Sequence, residues 1–278
     1  MRVTFASEPA TPAHPNEDFV GATADAAVLL DGASAPAGVT SGCSHGVRWY
    51  SHTLGALLLA ELTESMEPLP EILARGIERV TSLHQDTCDL SRGDSPSATV
   101  VMLRRTGDRV DWLVLCDSVL LLDTGAAEPT VVCDDRLNHL LKPSRDRVRA
   151  LEPGTPEHAE AMREHVALVN ECRNRDGGFW VASTDPRAAE EALTGSVPAE
   201  KVRAVALLSD GASRLVDRFH LATWREVVGM VDRYGPAELI RRVRRAERSD
   251  PDGKRWPRGK PSDDASAVYC THLNGHRP

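Results

Sequence analysis

No run in this chain approaches the roughly eighteen consecutive apolar residues that a membrane-spanning helix requires, so no membrane partner is expected. The first fifteen residues hold Pro9, Pro12 and Pro15 but no basic start followed by an apolar stretch, so a signal peptide is not expected either. Positive charge is in deficit: the net charge is −8, which argues against a nucleic-acid backbone as partner. No Cys-x-x-Cys pair occurs among Cys43, Cys88, Cys116, Cys133, Cys172 and Cys270, which argues against a zinc knuckle. Four of the six sit in or beside apolar segments, where thiols act as small hydrophobes; a reducing cytoplasm is the expected setting. Ser34, Ser118 and Ser213 lie near aspartates, but there is no Gly-x-Ser-x-Gly elbow for a serine hydrolase. Low-complexity linkers and solenoid periods are absent as well, so residues 1–278 read as one domain.

What is present is a soluble globular composition, 41% hydrophobic and 27% charged, in a chain long enough for one large core. Short runs rich in Val and Leu predict strands at Ala26 to Leu30, Ala98 to Leu103, Val110 to Cys116, Val119 to Leu122, Thr130 to Cys133, Val202 to Leu208 and Ala265 to Cys270. Thr106-Gly107-Asp108 suits a hairpin turn, so the sheet is expected to be mostly antiparallel. Apolar stripes at helical spacing predict helices over His45 to Glu61 and Pro70 to Gln85, then Leu221 to Tyr234 and Pro236 to Arg248. The run Arg241-Arg242-Val243-Arg244-Arg245 reads as a solvated helix face. The segment 134–176 is polar, contains Pro143, Pro153 and Pro156, and predicts one helix around Glu157 to Glu171. It reads as a lid or recognition insertion, or as an ornamental excursion.

An apolar run ending in Asp-Gly-Ala-Ser occurs twice, as Val28 to Ser34 and as Leu207 to Ser213, 179 residues apart. Each reads as a buried strand that stops at a carboxylate, followed by a glycine that leaves room for a close backbone approach. Asp-Gly is also a common strand-ending turn, which explains either copy alone. The pair is accompanied by Asn16-Glu17-Asp18 before the first strand and Ser262-Asp263-Asp264 before the last. Together they suit a hard divalent cation, which prefers oxygen ligands. Asp117 lies between Leu113-Val114-Leu115 and Val119-Leu120-Leu121-Leu122; an unpaired carboxylate there is costly, so it needs a cation or a set of donors.

These motifs, with Ser97-Ala98-Thr99 entering a strand and Asp117-Ser118 following one, occur from Asn16 to about Val268 in an order that resembles the metal-dependent protein phosphatase family (protein phosphatase 2C-like), bacterial branch. The resemblance implies an α+β fold: a four-layer α-β-β-α sandwich of two mostly antiparallel sheets flanked by helix pairs, with metals at one edge. It implies that Asp31 bridges two ions, that Gly32 offers a carbonyl, and that Asp210 and Asp263 complete the second ion. It also implies that Glu17 and Asp18 hold the cluster and that Asp117 helps hold a third, weaker ion. The cofactor implied is Mg²⁺ or Mn²⁺, two or three ions, and the reaction is attack of water on the phosphorus of phosphoserine or phosphothreonine.

The chain departs from the family where an arginine commonly grips phosphate, since Ala13 stands there with His14 beside it. His14, Arg48 and the arginines of 134–176 are the candidate replacements. Ala33 follows the first Asp-Gly, Cys116 replaces the glycine before Asp-Ser, and Asp264 replaces an asparagine. Two rival readings remain: the same chemistry on a small phosphorylated metabolite, and a non-catalytic regulatory protein that keeps the fold. The substrate is thus a phosphoprotein or a small phosphorylated molecule. His158 and His165, seven apart, read as solvent-exposed rather than as a zinc pair, and Trp112, Trp180, Trp224 and Trp256 as packing residues.

Overall fold

In the computed structural model, which describes residues 1–33, 41–90, 95–152 and 154–274, two five-stranded sheets lie face to face. One has the order β1 (Arg2–Glu8), β10 (Ala265–Thr271), β9 (Ala204–Leu208), β6 (Val119–Asp123), β7 (Thr130–Val132). The other runs β2 (Phe19–Ala22), β3 (Ala26–Ala33), β4 (Ser97–Thr106), β5 (Arg109–Leu115), β8 (Leu193–Pro198). Every strand pairing within them is antiparallel. The seven expected strands all form, although β3 runs past Asp31 to Ala33.

Why these strands are apolar almost without interruption follows from their alternation, which feeds two cores at once. On β3, Ala27 and Leu29 point between the sheets, while Val28 and Leu30 point out to the helices. On β9, Val205 and Leu207 enter the same middle layer, while Ala206 and Leu208 face the helices on the other side. Each fully buried Leu or Ile contributes roughly 1.5–3 kcal/mol. The first outer layer is α1 (Gly46–Glu64) with α2 (Leu69–Ser82), and the second is α5 (Asp210–Asp217), α6 (Trp224–Tyr234) and α7 (Pro236–Ser249). The result is the expected α-β-β-α sandwich.

Three strands and two helices, α5 and the one over Arg136–Arg149, were not legible as such. β1 and β8 are edge strands with largely exposed or half-buried residues, so neither presents a full apolar run. β2 has four half-buried residues, one of them Gly21. In the 134–176 segment, α4 (Pro156–Cys172) forms as expected, but α3 (Arg136–Arg149) precedes it. Pro143 lies inside α3 and only Leu141 and Val148 are buried there, so its stripe is weak. The two helices share a small core with Cys116, Phe179 and Val181.

The arginine run on α7 is not a uniform solvated face. Arg241 and Arg242 are exposed and pair with Glu238, whereas Arg244 is buried and pairs with Glu247 at 2.8 Å. Among the tryptophans, Trp180 and Trp256 are buried, and Trp112 and Trp224 pack against cores. His165 Nδ1 and the Ser144 hydroxyl lie 2.8 Å apart, so this imidazole is already partnered. Ser34 lies outside the described residues.

Candidate metal centre

The two Asp-Gly copies meet at one edge of the sandwich, but by different local routes. Asp31 stays in strand conformation, opposite Thr99 of β4. Asp210 is the first residue of α5, after Ser209 at the helix N-cap, and not the end of a turn. Its backbone N–H donates to Asp31 Oδ2 at 3.0 Å, which fixes one carboxylate against the other's main chain. Both glycines are there for close approach. A Cβ on Gly32 would stand 2.6 Å from the Glu17 carbonyl, and one on Gly211 would stand 1.9 Å from the Asp264 carbonyl. The motif glycines therefore press the Glu17-Asp18 and Asp263-Asp264 segments against Asp31 and Asp210.

Asp264 performs a positional task. Its Oδ1 accepts from the Ala10 N–H and its Oδ2 from the Glu17 N–H, both at 2.7 Å. A carboxylate offers two acceptors where an asparagine offers one, so the departure from the family pattern is accommodated. Glu17 is half-buried and Asp18 buried, just ahead of β2. Asp263 is held by Arg214 at 2.7 Å and by Lys260 at 3.1 Å. Arg214 also reaches Glu247 at 3.0 Å, and Glu247 reaches Arg244, so a buried ion-pair chain from α5 and α7 supports this corner. Sequence reading missed Arg214. The signal was its position four residues after Asp210, on the same helix face.

Electrostatics mark the cluster as short of positive charge. Burial, then repulsion from Asp264 and Asp210, pushes the Asp18 carboxyl up to about 7, and the Ser266 and Ser209 hydroxyls counter this only in part. Burial and Asp263 likewise push Asp210 up to about 7, against the pull of Arg214. Asp31 is pushed well above the ordinary carboxylate range by burial and then by Asp18, Asp210, Asp263 and Asp117. Both carboxylate oxygens of Asp18 are buried and, among the described residues, without a hydrogen bond of ordinary geometry. An all-oxygen set of converging carboxylates, one of them orphaned in this way, fits a hard divalent cation. Asp263 is the member already neutralised by side-chain cations.

Asp117 lies in the β5–β6 turn, where Cys116 adopts a left-handed φ of 69°. That conformation is the one glycine adopts freely, which accounts for the usual residue at this place. Burial raises the Asp117 carboxyl; hydrogen bonds from its own N–H and from the Cys116 thiol pull it back, and the Arg145 charge adds to this. The next hydroxyl, Ser118, lies 2.5 Å from that of Thr99, so the two weaker sequence elements meet beside Asp31. Arg145 comes from α3. Its two terminal nitrogens donate to the Asn138 side chain and carbonyl, both at 2.9 Å, and its buried Nε has no partner among the described residues. Burial and the neighbouring charge of Arg218 lower its pKa, and the same causes, with Arg145 itself, lower that of Arg149. His14 and Arg48 are both exposed, and neither is among the strongest charges acting on the carboxylates. An open cleft of about 690 Å³ beside α3, lined by Asp135, Arg136, His139 and Trp180 among others, contains none of the acidic cluster.

No family model and no curated protein matches the sequence. Solved structures do match. The Mycobacterium tuberculosis serine/threonine phosphatase PstP/Ppp is 18% identical, with 96% of this chain and 97% of that chain covered at a TM-score of 0.58. Serine/threonine phosphatase Stp1 from Staphylococcus aureus is 15% identical, covering 97% and 94% at 0.58. The fold is that of the protein phosphatase 2C-like enzymes. One further match, the catalytic domain of PstP in complex with 2 manganese ions, is 18% identical over 96% of each chain at 0.55.

A pH dependence follows from the raised carboxyls. Between the ordinary carboxylate range and pH about 7, the unfolded chain has released protons that folded Asp18 and Asp210 still hold. Raising the pH through that window therefore destabilises the metal-free fold, and above it the contribution of these two groups levels off. Thermal melts of chelator-stripped protein are expected to show a midpoint that falls from pH about 5 to about 7 more steeply than in Asp18→Asn. Equal slopes in the two proteins would contradict the assignment.

Proposed function

We propose that this protein is a Mg²⁺- or Mn²⁺-dependent phosphoric monoester hydrolase acting on phosphoserine or phosphothreonine in proteins. The observation that carries the reading is the buried acidic cluster with its orphaned Asp18 carboxylate, standing on a fold otherwise seen in serine/threonine phosphatases. Asp31, with the Gly32 carbonyl, is assigned the central ligand position, Asp210 and Asp263 one flank, and Glu17 and Asp18 the other. Asp117 is assigned to a third, weaker ion. When bound, such ions supply an activated water and neutralise the phosphoryl oxygens. The chain's own tasks are to hold these carboxyl groups side by side, and to grip the phosphate.

For the grip we assign Arg145, an arginine of the 134–176 segment, with Arg218 beside it. Support comes from its half-buried position, its electrostatic reach to Asp117, and a guanidinium whose hydrogen bonds, among the described residues, go to Asn138. Helices α3 and α4 then act as the recognition element. Arg145→Ala is expected to raise KM for phosphopeptide about 10- to 100-fold, the value of one charge-assisted contact, with metal binding unchanged. Steady-state kinetics beside a metal titration check this, and an unaltered KM would return the role to the exposed residues His14 and Arg48.

Phosphate release from a panel of phosphopeptides and small phosphometabolites, with Mn²⁺, with Mg²⁺ and with excess chelator, tests the whole reading. Release from phosphopeptides that chelator abolishes is the expected result. Turnover confined to small metabolites selects the first rival, and no turnover on any substrate with either metal selects the regulatory one.

A further inference from the structure

Away from the acidic cluster, two cysteines and two histidines converge where the open ends of α1 and α2 meet. Cys43 and His45 immediately precede α1, and His84 and Cys88 follow the last turn of α2. Their ligand atoms all lie within 4.8 Å of one another. Cys43 Sγ is 3.5 Å from Cys88 Sγ, 3.4 Å from His84 Nδ1 and 3.8 Å from His45 Nδ1, and His45 Nδ1 is 3.2 Å from Cys88 Sγ. A tetrahedral zinc with its usual bond lengths would place sulfur atoms about 3.8 Å apart and sulfur and nitrogen about 3.6 Å apart. The four observed separations lie within about 0.4 Å of the edges of such a tetrahedron. They are also too long for a disulfide, and all six cysteines are free.

We propose that Cys43, His45, His84 and Cys88 bind a structural Zn²⁺ that closes the α1–α2 hairpin. Four protein ligands leave no open position, as in structural rather than catalytic zinc sites. Two soft thiolates with two imidazoles select zinc over the hard Mg²⁺ and Mn²⁺ suited to the acidic cluster. The site does not need Cys-x-x-Cys, because the helical hairpin brings together Cys43-x-His45 and His84-x-x-x-Cys88 from opposite ends. That is why the sequence argued against zinc. Trp49 covers the group, its ring 4.4 Å from that of His45 and 5.0 Å from that of His84. The Asp89 N–H donates to the Gly42 carbonyl at 3.0 Å and ties the two strands of chain beneath it.

The staple has a structural destination. It anchors the first turns of α1, where Ser51 donates to the Glu17 carbonyl at 2.5 Å and Val47 lies against Gly32. The zinc thus braces the helix that presses on two assigned elements of the metal centre, while binding independently of them.

The test uses the full chain, purified without chelator, with zinc measured by plasma mass spectrometry and released with an organomercurial. One zinc per chain, freed as the thiols are modified, is expected. Cobalt exchanged into the site should show the visible bands of tetrahedral thiolate coordination. Cys88→Ser and His84→Ala should lose the zinc, and Asp31→Asn should keep it in full. If the ligand variants fail to fold, the mercurial release and the cobalt spectrum of the unaltered protein decide. Zinc-free protein with Cys43 and Cys88 recovered as a disulfide would overturn the proposal, as would zinc that stays in folded Cys88→Ser.

Discussion

Asp31→Asn is expected to reduce metal-dependent phosphate release by on the order of 10³-fold or more, equivalent to roughly 4 kcal/mol of transition-state stabilisation. The same change should make the metal-free protein more stable. Asp31 is surrounded by Asp18, Asp210, Asp263 and Asp117, whose charges with burial push its carboxyl well up. An amide removes that repulsion and still accepts the Asp210 N–H through its oxygen, so the local geometry is kept. A rise of at least about 3 °C in the metal-free melting midpoint is expected, the shift that ~1 kcal/mol produces in a chain of this size. Saturating Mn²⁺ should reverse the order, because only the unaltered protein gains the full binding energy. A carboxylate serving structure alone would give the opposite pair of results: a lower metal-free midpoint and little loss of turnover per folded molecule.

The second large effect is structural. Gly211→Ala places a methyl 1.9 Å from the Asp264 carbonyl oxygen, and a backbone atom cannot step aside as the end of a flexible side chain can. Something must shift: either α5, which starts at Asp210, or the segment that carries Asp263 and Asp264 into β10. Overpacking of this kind costs about 3 kcal/mol at the upper end of the usual range, so the midpoint should fall by roughly 6–12 °C. Activity per folded molecule should fall as well, because Asp264 sets the Glu17 amide and Asp263 faces Arg214. Thermal melts with kinetics on the folded fraction check both. A midpoint within about 1 °C of the unaltered protein would mean that the two segments are not packed as described.

Much of this architecture was legible because central strands buried on both faces announce themselves. Val28-Leu29-Leu30 and Val205-Ala206-Leu207-Leu208 serve two cores each and have no polar alternation to confuse them. Three of the four edge strands, β1, β2 and β8, carry no such mark and were hidden, whereas the short edge strand β7 keeps enough Val to be read. The acidic positions were legible from repetition and order, since two Asp-Gly motifs and two further acidic motifs recur beside apolar runs. What each one does locally was not. Asp31 and Asp210 share four-residue surroundings, yet one continues a strand and the other opens a helix, a choice made by the Thr99 pairing and by the approach of Asp264. Contacts between residues far apart in the chain were beyond pattern reading altogether. Arg145 near Asp117 and Arg214 against Asp263 depend on α3 and α5, which carry no helical stripe strong enough to read, and the meeting of Cys43 with Cys88 depends on α1 and α2, which the sequence places but does not orient.

Titrating Mn²⁺ into metal-free protein by calorimetry, with Asp31→Asn run beside it at the same pH, tests most directly whether the acidic cluster is a metal centre. Soft thiolate ligands disfavour Mn²⁺, so the difference between the two isotherms isolates the carboxylates. Saturable binding in the unaltered protein is the predicted result, accompanied near neutral pH by proton release from Asp18 and Asp210, whose carboxyls sit at about 7. Asp31→Asn should lose most of that binding and its proton release. Matching isotherms for the two proteins, or no saturable binding in either, would contradict the account.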